Sequence, residues 1–362
     1  MLVDISNHWQ SGKVFLYRHD ELVMSRCDSI DVYQDVTEDA YRFGIGKTPL
    51  YYHEVGTSVI YSKMEYRNKY GSIKDRAGFF MISSGIKKGL LDRNKTIIEA
   101  SSGNTGIALA NIAKEMGYRA KIYVPNASSQ ATKDAIMVTG QEMVEVFDEA
   151  SKHGSINIDA AVSMLKKEME MKPGKYVNFD QYSNDANTLG HYYTTGPEVT
   201  SVIGDSITHV VISIGTGGTI TGLAKYYKQN FPSVKVIAVM PKPYHKIQGL
   251  KNLNVSKTPE ILSKNMDLID EWMDIDDRDA EDMLKKMIDL DLFTGLSSAA
   301  NYFSAMKIAE KYPGSKVLTV FPDSAEKYRE AYVHRQLFTD DEYNEYSAYF
   351  RKDPSDTLYY GK

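Results

Sequence analysis

The sequence predicts an α/β protein built as two doubly wound lobes with a cleft between them. Three observations carry that expectation. At 362 residues the chain is about twice the usual length of one domain. Short apolar runs bounded by turn residues alternate with segments of helical period, the pattern of βαβ units and a parallel sheet. The pattern occurs in two separate series, between residues 96 and 147 and between residues 209 and 321. In such sheets ligands bind beyond the carboxyl ends of the strands.

The first series opens on a strand at 96–100, then a polar glycine loop and a helix over 105–116. A strand at 120–124, a turn at Pro125-Asn126, a helix around 129–138 and a strand at 142–147 follow. The second series runs through a strand at 209–214, a helix at 219–229 and a strand at 234–239. Helices near 280–290 and 297–311 then lead to a strand at 316–321. Residues 1–45 show little periodicity and read as an N-terminal extension. Residues 46–67 with 181–335 form the larger lobe, and 68–180 the smaller. The acidic, tyrosine-rich stretch 336–362 reads as a tail packed on its own lobe or on a partner subunit.

Composition narrows the functional class. With 42% hydrophobic and 25% charged residues the chain reads as globular and long enough to bury a core without disulfide or metal. The net charge of −5 is spread along the sequence, with no basic run suited to nucleic acid. The single cysteine, Cys27, forms no internal disulfide, and the first residues, with Asp4 and Asn7, lack the apolar stretch of a signal peptide. No apolar run reaches membrane-spanning length. The expectation is a cytoplasmic α/β enzyme with no membrane or nucleic-acid partner.

Three familiar motifs fail. Gly46-Lys47-Thr48 resembles the end of a P-loop, but Tyr41 holds the earlier glycine position and Pro49 disfavours the helix start. Gly215-Thr216-Gly217-Gly218-Thr219-Ile220 has Ile220 where a dinucleotide fingerprint needs its third glycine. The eight histidines include no HExxH, and one cysteine supports no zinc knuckle, so no metal is expected.

Three elements remain. Gly215, Thr216, Gly217, Gly218 and Thr219 lie between a strand and a helix, where missing Cβ atoms let N–H groups approach an anion such as phosphate; a plain turn is the alternative. Ser101, Ser102, Gly103, Asn104, Thr105 and Gly106 repeat that logic for a carboxylate, or form an N-cap cluster. In Gly71-Ser72-Ile73-Lys74-Asp75-Arg76, Ser72 as N-cap puts Lys74 in the first helical turn, where the dipole disfavours a cation. That position lowers a lysine pKa, as a Schiff-base lysine requires, although a lone lysine there is also an ordinary surface residue.

In this order the elements resemble the fold-type II pyridoxal-phosphate family, in particular its cysteine synthase and cystathionine β-synthase branch, with the tryptophan synthase β-like fold. The matching segments are Gly46-Lys47-Thr48-Pro49-Leu50 and residues 71–76, 101–106, 181–187, 194–197, 215–222, 245–249, 295–298 and 322–324. The resemblance implies that Lys74 carries pyridoxal 5'-phosphate as a Schiff base, that Gly215, Thr216, Gly217, Gly218 and Thr219 hold its phosphate, and that Asn104 bonds its 3′-oxygen. It implies that Ser324 faces the pyridine nitrogen, and that Ser101, Ser102, Gly103, Asn104 and Thr105, with Gln181, grip the substrate carboxylate and close the smaller lobe over it. A hydroxyl at the ring nitrogen would not keep it protonated, which favours β-elimination over racemisation or transamination.

The implied function is β-replacement on a serine-derived amino acid. O-acetylserine or O-phosphoserine plus sulfide would give L-cysteine through an aminoacrylate, with Lys74 as the base that removes the Cα proton. The alternatives are cystathionine β-synthase, serine or threonine dehydratase, and cysteine desulfhydrase; the family also implies a homodimer. Lys69, Ser101 and Ala299 depart from the family's usual proline, threonine and glycine. Cys27 with His8 or His19 resembles the haem-binding extension of some relatives only loosely, and the expectation is an ordinary cysteine. Lys246 and Lys251 lie near where relatives that use O-phosphoserine place a basic residue and would give that part of the cleft positive character, or they are solvated surface lysines.

Overall fold

The computed structural model describes residues 13–15, 32–147 and 158–351. Strand β1 (Lys13–Phe15) pairs antiparallel with β2 (Leu50–Val55), and α1 (Val32–Phe43) lies between them in sequence. β2 turns back through Gly56 and Thr57 into β3 (Ser58–Met64), with Gly56 at φ +59 in the left-handed backbone that a two-residue hairpin turn needs. Helix α2 (Lys74–Lys87) leads to the smaller sheet. That sheet is built from β4 (Thr96–Ala100), α3 (Asn104–Glu115), β5 (Arg119–Pro125), α4 (Gln130–Met137), β6 (Glu142–Val146), α5 (Asp159–Met171) and β7 (Tyr176–Val177). The chain returns through α6 (Asp185–Gly190), a π-helical turn (His191–Thr195) and α7 (Gly196–Ile203). It then forms β8 (His209–Ser213), α8 (Gly218–Asn230), β9 (Lys235–Pro241), α9 (Glu260–Ser263) and β10 (Glu271–Ile275). Helices α10 (Asp277–Ile288) and α11 (Leu296–Lys311) precede β11 (Lys316–Phe321), and α12 (Arg329–His334) and α13 (Asp340–Arg351) end the described chain.

The smaller sheet, ordered β6-β5-β4-β7, is wholly parallel. The larger, ordered β1-β2-β3-β11-β8-β9-β10, is parallel from β3 onward. Both central regions are covered on two faces, as parallel sheets require. Along β8, Val210 and Ile212 pack with Ile220, Leu223, Ala224 and Tyr227, the i, i+3, i+4, i+7 stripe of α8, while Val211 joins the opposite core with α10 and α11. Each such fully buried large apolar side chain stabilises the fold by about 1.5–3 kcal/mol. In β4, Ile97 faces α2 and α3 and Ile98 faces α5.

The expected α/β class and two sheets are present. Strands 96–100 and 316–321 fall where the sequence places them, and the other expected elements shift by a few residues. The 1–45 segment is more structured than its weak periodicity indicates: in α1, Val36 and Ala40 are fully buried in the core beneath the smaller sheet. In the 336–362 tail, Leu337, Phe338 and Tyr343 pack into the core of the larger sheet. His8, His19 and Cys27 lie outside the described residues.

Candidate active site

The two sheets bring the lysine, the glycine-rich turn and Asn104 to one cavity. Lys74 is the first residue of α2, and its backbone N–H is accepted by Ser72 Oγ at 3.2 Å. The turn before it is fixed to the end of β11. Ile73 N–H donates to Pro322 O at 2.8 Å, and Ser72 pairs with Asp323 as an isolated antiparallel bridge. Burial pushes the Lys74 amine down to about 8, against the opposing pull of the Asp323 carboxylate.

Behind the lysine helix lies a buried ion cluster. Arg76, two residues after Lys74, meets Glu65 at 2.7 Å and Glu198 at 2.6 Å, and Lys63 meets Glu198 at 2.8 Å; all four are fully buried. The Gly46-Lys47-Thr48 segment serves this cluster. Thr48 Oγ1 donates to Glu65 at 2.7 Å, and a Cβ on Gly46 would stand 2.8 Å from Glu198. The segment therefore anchors the lysine helix instead of cradling a phosphate.

The glycine-rich turn joins β8 to α8. Gly215, Thr216, Gly217 and Thr219 line the cavity, and Gly217 takes the left-handed backbone at φ +85. A Cβ on Gly215 would stand 2.4 Å from Gly249 O, and one on Gly218 only 2.2 Å from Asn187 Oδ1. Asn187 Nδ2 donates to Thr216 Oγ1 at 3.0 Å and to Gln181 O at 2.7 Å, which fixes the turn from below. The Thr219 hydroxyl meets His191 Nε2 at 3.2 Å, and burial holds that imidazole down at about 3, hence neutral. The start of a 13-residue helix, with the backbone at Gly215 and Gly218 packed too closely for any side chain, fits a phosphate.

The loop before α3 is held by its own hydrogen bonds. Ser101 Oγ accepts from Gly106 N–H at 2.9 Å and Gly103 N–H at 3.3 Å, as an N-cap cluster does. Thr105 Oγ1 donates to Gln181 Oε1 at 2.8 Å, joining the loop to the Gln181 segment. Asn104 alone of this loop lines the cavity; Ser101, Ser102, Gly103, Thr105 and Gln181 stand outside its wall.

Ser324 also stands outside the wall. It is half-buried, precedes a short helical turn (Ala325–Lys327) and pairs with Thr294 as an isolated bridge. Beside Tyr328, the serine that lines the cavity at this end is Ser297, the second residue of α11, and the lining carboxylate is Asp323. Both lie in segments the sequence singles out, 295–298 and 322–324. The available signal for Ser297 was a glycine followed by hydroxyl residues opening a helix, the same pattern as the other two loops.

Lys74 is the single cation and Asp323 the single carboxylate among the described lining residues. The family described as "Pyridoxal-phosphate dependent enzyme" matches residues 41–323. Cysteine synthase B of Escherichia coli (strain K12) is 35% identical over 289 residues, covering 78% of this chain and 92% of that protein. The crystal structure of an O-acetylserine dependent cystathionine β-synthase from Helicobacter pylori superposes with a TM-score of 0.72 at 29% identity, covering 84% of this chain and 98% of that one. A hydrogen sulfide-producing enzyme from Fusobacterium nucleatum gives 0.72 and 29%, over 83% and 99%.

Proposed function

Because the chain belongs to the pyridoxal-phosphate-dependent enzyme family, we propose that it makes L-cysteine by replacing the β-substituent of O-acetylserine or O-phosphoserine with sulfide. The observation that carries this reading is Lys74, a lysine with its amine pushed down to about 8, in the wall of a cavity that also holds a glycine cradle. Bound there, the cofactor supplies an aldehyde carbon for amine exchange and a ring that accepts electron density from Cα. The cradle's glycines fit its phosphate, as the crowding at Gly215 and Gly218 supports.

The protein's own groups do the rest. Lys74 would hold the cofactor, and its amine, once free, would take the Cα proton of the substrate. An amine brought down to about 8 is about one-tenth neutral at pH 7, far more than an ordinary lysine, which suits a general base. Ser101, Ser102, Gly103, Asn104 and Thr105 grip the substrate carboxylate with Gln181, which the Thr105–Gln181 bond holds beside the loop. Closure of the smaller lobe, residues 68–180, over the bound substrate excludes water, so that sulfide and not hydroxide reaches Cβ. The neutral hydroxyl facing the ring nitrogen is Ser297, not Ser324, because Ser297 is the one in the wall.

No helix among the described residues is long and apolar enough to cross a membrane, and we assign a cytoplasmic homodimer. Light scattering on the purified protein tests the dimer.

The decisive experiment is a donor panel of O-acetylserine, O-phosphoserine, serine and cysteine, each with sulfide, scored for cysteine and for pyruvate. Cysteine from an activated serine supports the proposal. Pyruvate as the main product would make the protein a β-eliminating enzyme, and sulfide release from cysteine would place it with the Fusobacterium relative. Lys74→Ala should abolish turnover with every donor, and borohydride should fix the cofactor to Lys74 in the native protein.

A further inference from the structure

The Asn104 amide is gripped at both ends. Its Nδ2 donates to Asp323 Oδ2 at 2.6 Å, and its Oδ1 accepts from Lys327 Nζ. The Tyr328 hydroxyl donates to the same Asp323 oxygen. Asp323, Lys327 and Tyr328 belong to one turn after β11, whereas Asn104 opens α3, 219 residues before Asp323 in the chain. The two ends of a side-chain amide have nearly the same shape, so only their partners decide which end donates. Here they decide it without ambiguity: an ammonium accepts nothing, so the oxygen faces Lys327, and the nitrogen faces the carboxylate.

The partners also set the direction. Asp323 and Tyr328 line the cavity, and Lys327 stands outside its wall. The N–H end of Asn104 is therefore the end nearer the cavity, and the oxygen is held away from it. We propose that Asp323 and Lys327 are positioning residues that lock the Asn104 amide with its N–H end toward the cofactor, making Asn104 a donor to an anionic ring oxygen. This rests on the pyridoxal-phosphate reading of the cavity. An amide turned the other way would set its own oxygen against that anion, losing a charge-assisted hydrogen bond and replacing it with repulsion.

Lys327→Met is the test, because Lys327 is partly exposed and outside the wall, where its ammonium bonds Asn104 Oδ1. Stripped protein is reloaded with pyridoxal phosphate at fixed pH, and its visible spectrum and cofactor dissociation constant are measured. Lys327→Met is expected to raise the dissociation constant about tenfold, the worth of one hydrogen bond to a charged group, and to redistribute the visible bands. Lys327→Arg keeps a donor and should restore both to near wild type. Asp323→Asn, which keeps the shape but not the charge, should shift the spectrum in the same direction as Lys327→Met. A Lys327→Met protein with wild-type spectrum and affinity overturns the lock, as does an equal loss in Lys327→Arg. The underlying reading fails separately: a wild-type protein that gains no visible band with pyridoxal phosphate, or one whose band survives Lys74→Ala, overturns the cofactor assignment itself.

Discussion

Two turns of the molecule share one design, a strand running into glycines that open a helix, yet they are packed in opposite ways. Between β8 and α8 every glycine is crowded. Cβ atoms would stand 2.4 Å from Gly249 O at Gly215, 2.9 Å from Leu262 Cβ at Gly217 and 2.2 Å from Asn187 Oδ1 at Gly218. Between β4 and α3, Gly103 has nothing within 4 Å and an extended φ of −170 that any residue adopts. Crowding returns only at Gly106, inside the helix, against Ile122 and Ser101. A turn with no room cannot move, which suits a group that stays bound through every turnover. A turn with open space beside it can close over a group that comes and goes.

The largest expected effect breaks this contrast directly. Gly218→Ala pushes a methyl into the buried Asn187 amide, which is itself tied to Gln181 and Thr216 and has no free end to yield. Cofactor affinity should fall about a hundredfold, the upper range for overpacking a rigid site. Gly103→Ala should leave cofactor affinity within about twofold while moving the KM for the amino-acid donor. Equal losses of cofactor in the two variants would mean that the packing difference has no bearing on function.

Lys74 stands where the two regions meet, and its burial gives a second test. In the unfolded chain a lysine titrates near 10.5, and in the fold burial brings Lys74 to about 8. Between those values the unfolded state binds more protons, so stability rises with pH across that window. Below pH 8 the fold bears the full cost of a charged amine in the cavity, and above about 10.5 it bears none. Lys74→Met should therefore stabilise the cofactor-free protein at pH 7 by about 1–3 kcal/mol, a gain that fades between pH 8 and 10.5. Lys63, also brought to about 8 by burial, is present in both proteins and cancels in the difference. Denaturant unfolding at pH 7 and pH 10 measures it; a gain equal at both would assign the effect to packing and not to charge.

A smaller effect separates two hydroxyls at the far end of the cavity. Ser297→Ala removes a wall hydroxyl and should cost about 0.5–1.5 kcal/mol in cofactor affinity or turnover, the net worth of one neutral hydrogen bond. Ser324→Ala should change neither. A reversal of that order would return the ring-nitrogen role to Ser324.

The sequence was legible where local rules agree with the fold. Strand β4 is buried along its whole length, so its apolar run stands out between polar neighbours, and the glycines of the cradle mark places where the backbone allows no side chain. The ion cluster was not legible. Lys63, Glu65, Arg76 and Glu198 are ordinary surface residue types, and their partners lie up to 135 residues away in the chain, so only the assembled fold reveals that they neutralise one another. The work of Gly46 and Thr48 was hidden in the same way, since their motif is visible but their partners Glu65, Arg76 and Glu198 are not. Which serine lines the cavity was hidden for a different reason: segments 295–298 and 322–324 both carry serines, and no local pattern says which one faces inward.

Lys251 joins the two regions and offers the finest test of how they divide the work. Its backbone N–H donates to Ile214 O at 2.7 Å, beside the rigid cradle, while its ammonium lies 4.5 Å over the ring of Tyr182, next to Gln181. Burial lowers its pKa, with Asp159 pulling the other way, whereas Lys246 is exposed on the surface. We propose that this half-buried cation behind Gly249 and Leu250, which line the cavity, adds positive potential near the donor's leaving group. A phosphate gains from that potential and a neutral acetyl ester does not. Lys251→Ala should therefore raise the KM for O-phosphoserine about fivefold to tenfold, the range for a partly screened charge contact, and leave O-acetylserine within about twofold. Raising the salt concentration should weaken O-phosphoserine use in the wild type and have little further effect in the variant. If both donors lose equally, the lysine serves to pack Tyr182 and hold the Gln181 segment against the cradle, and its charge plays no part in choosing the donor.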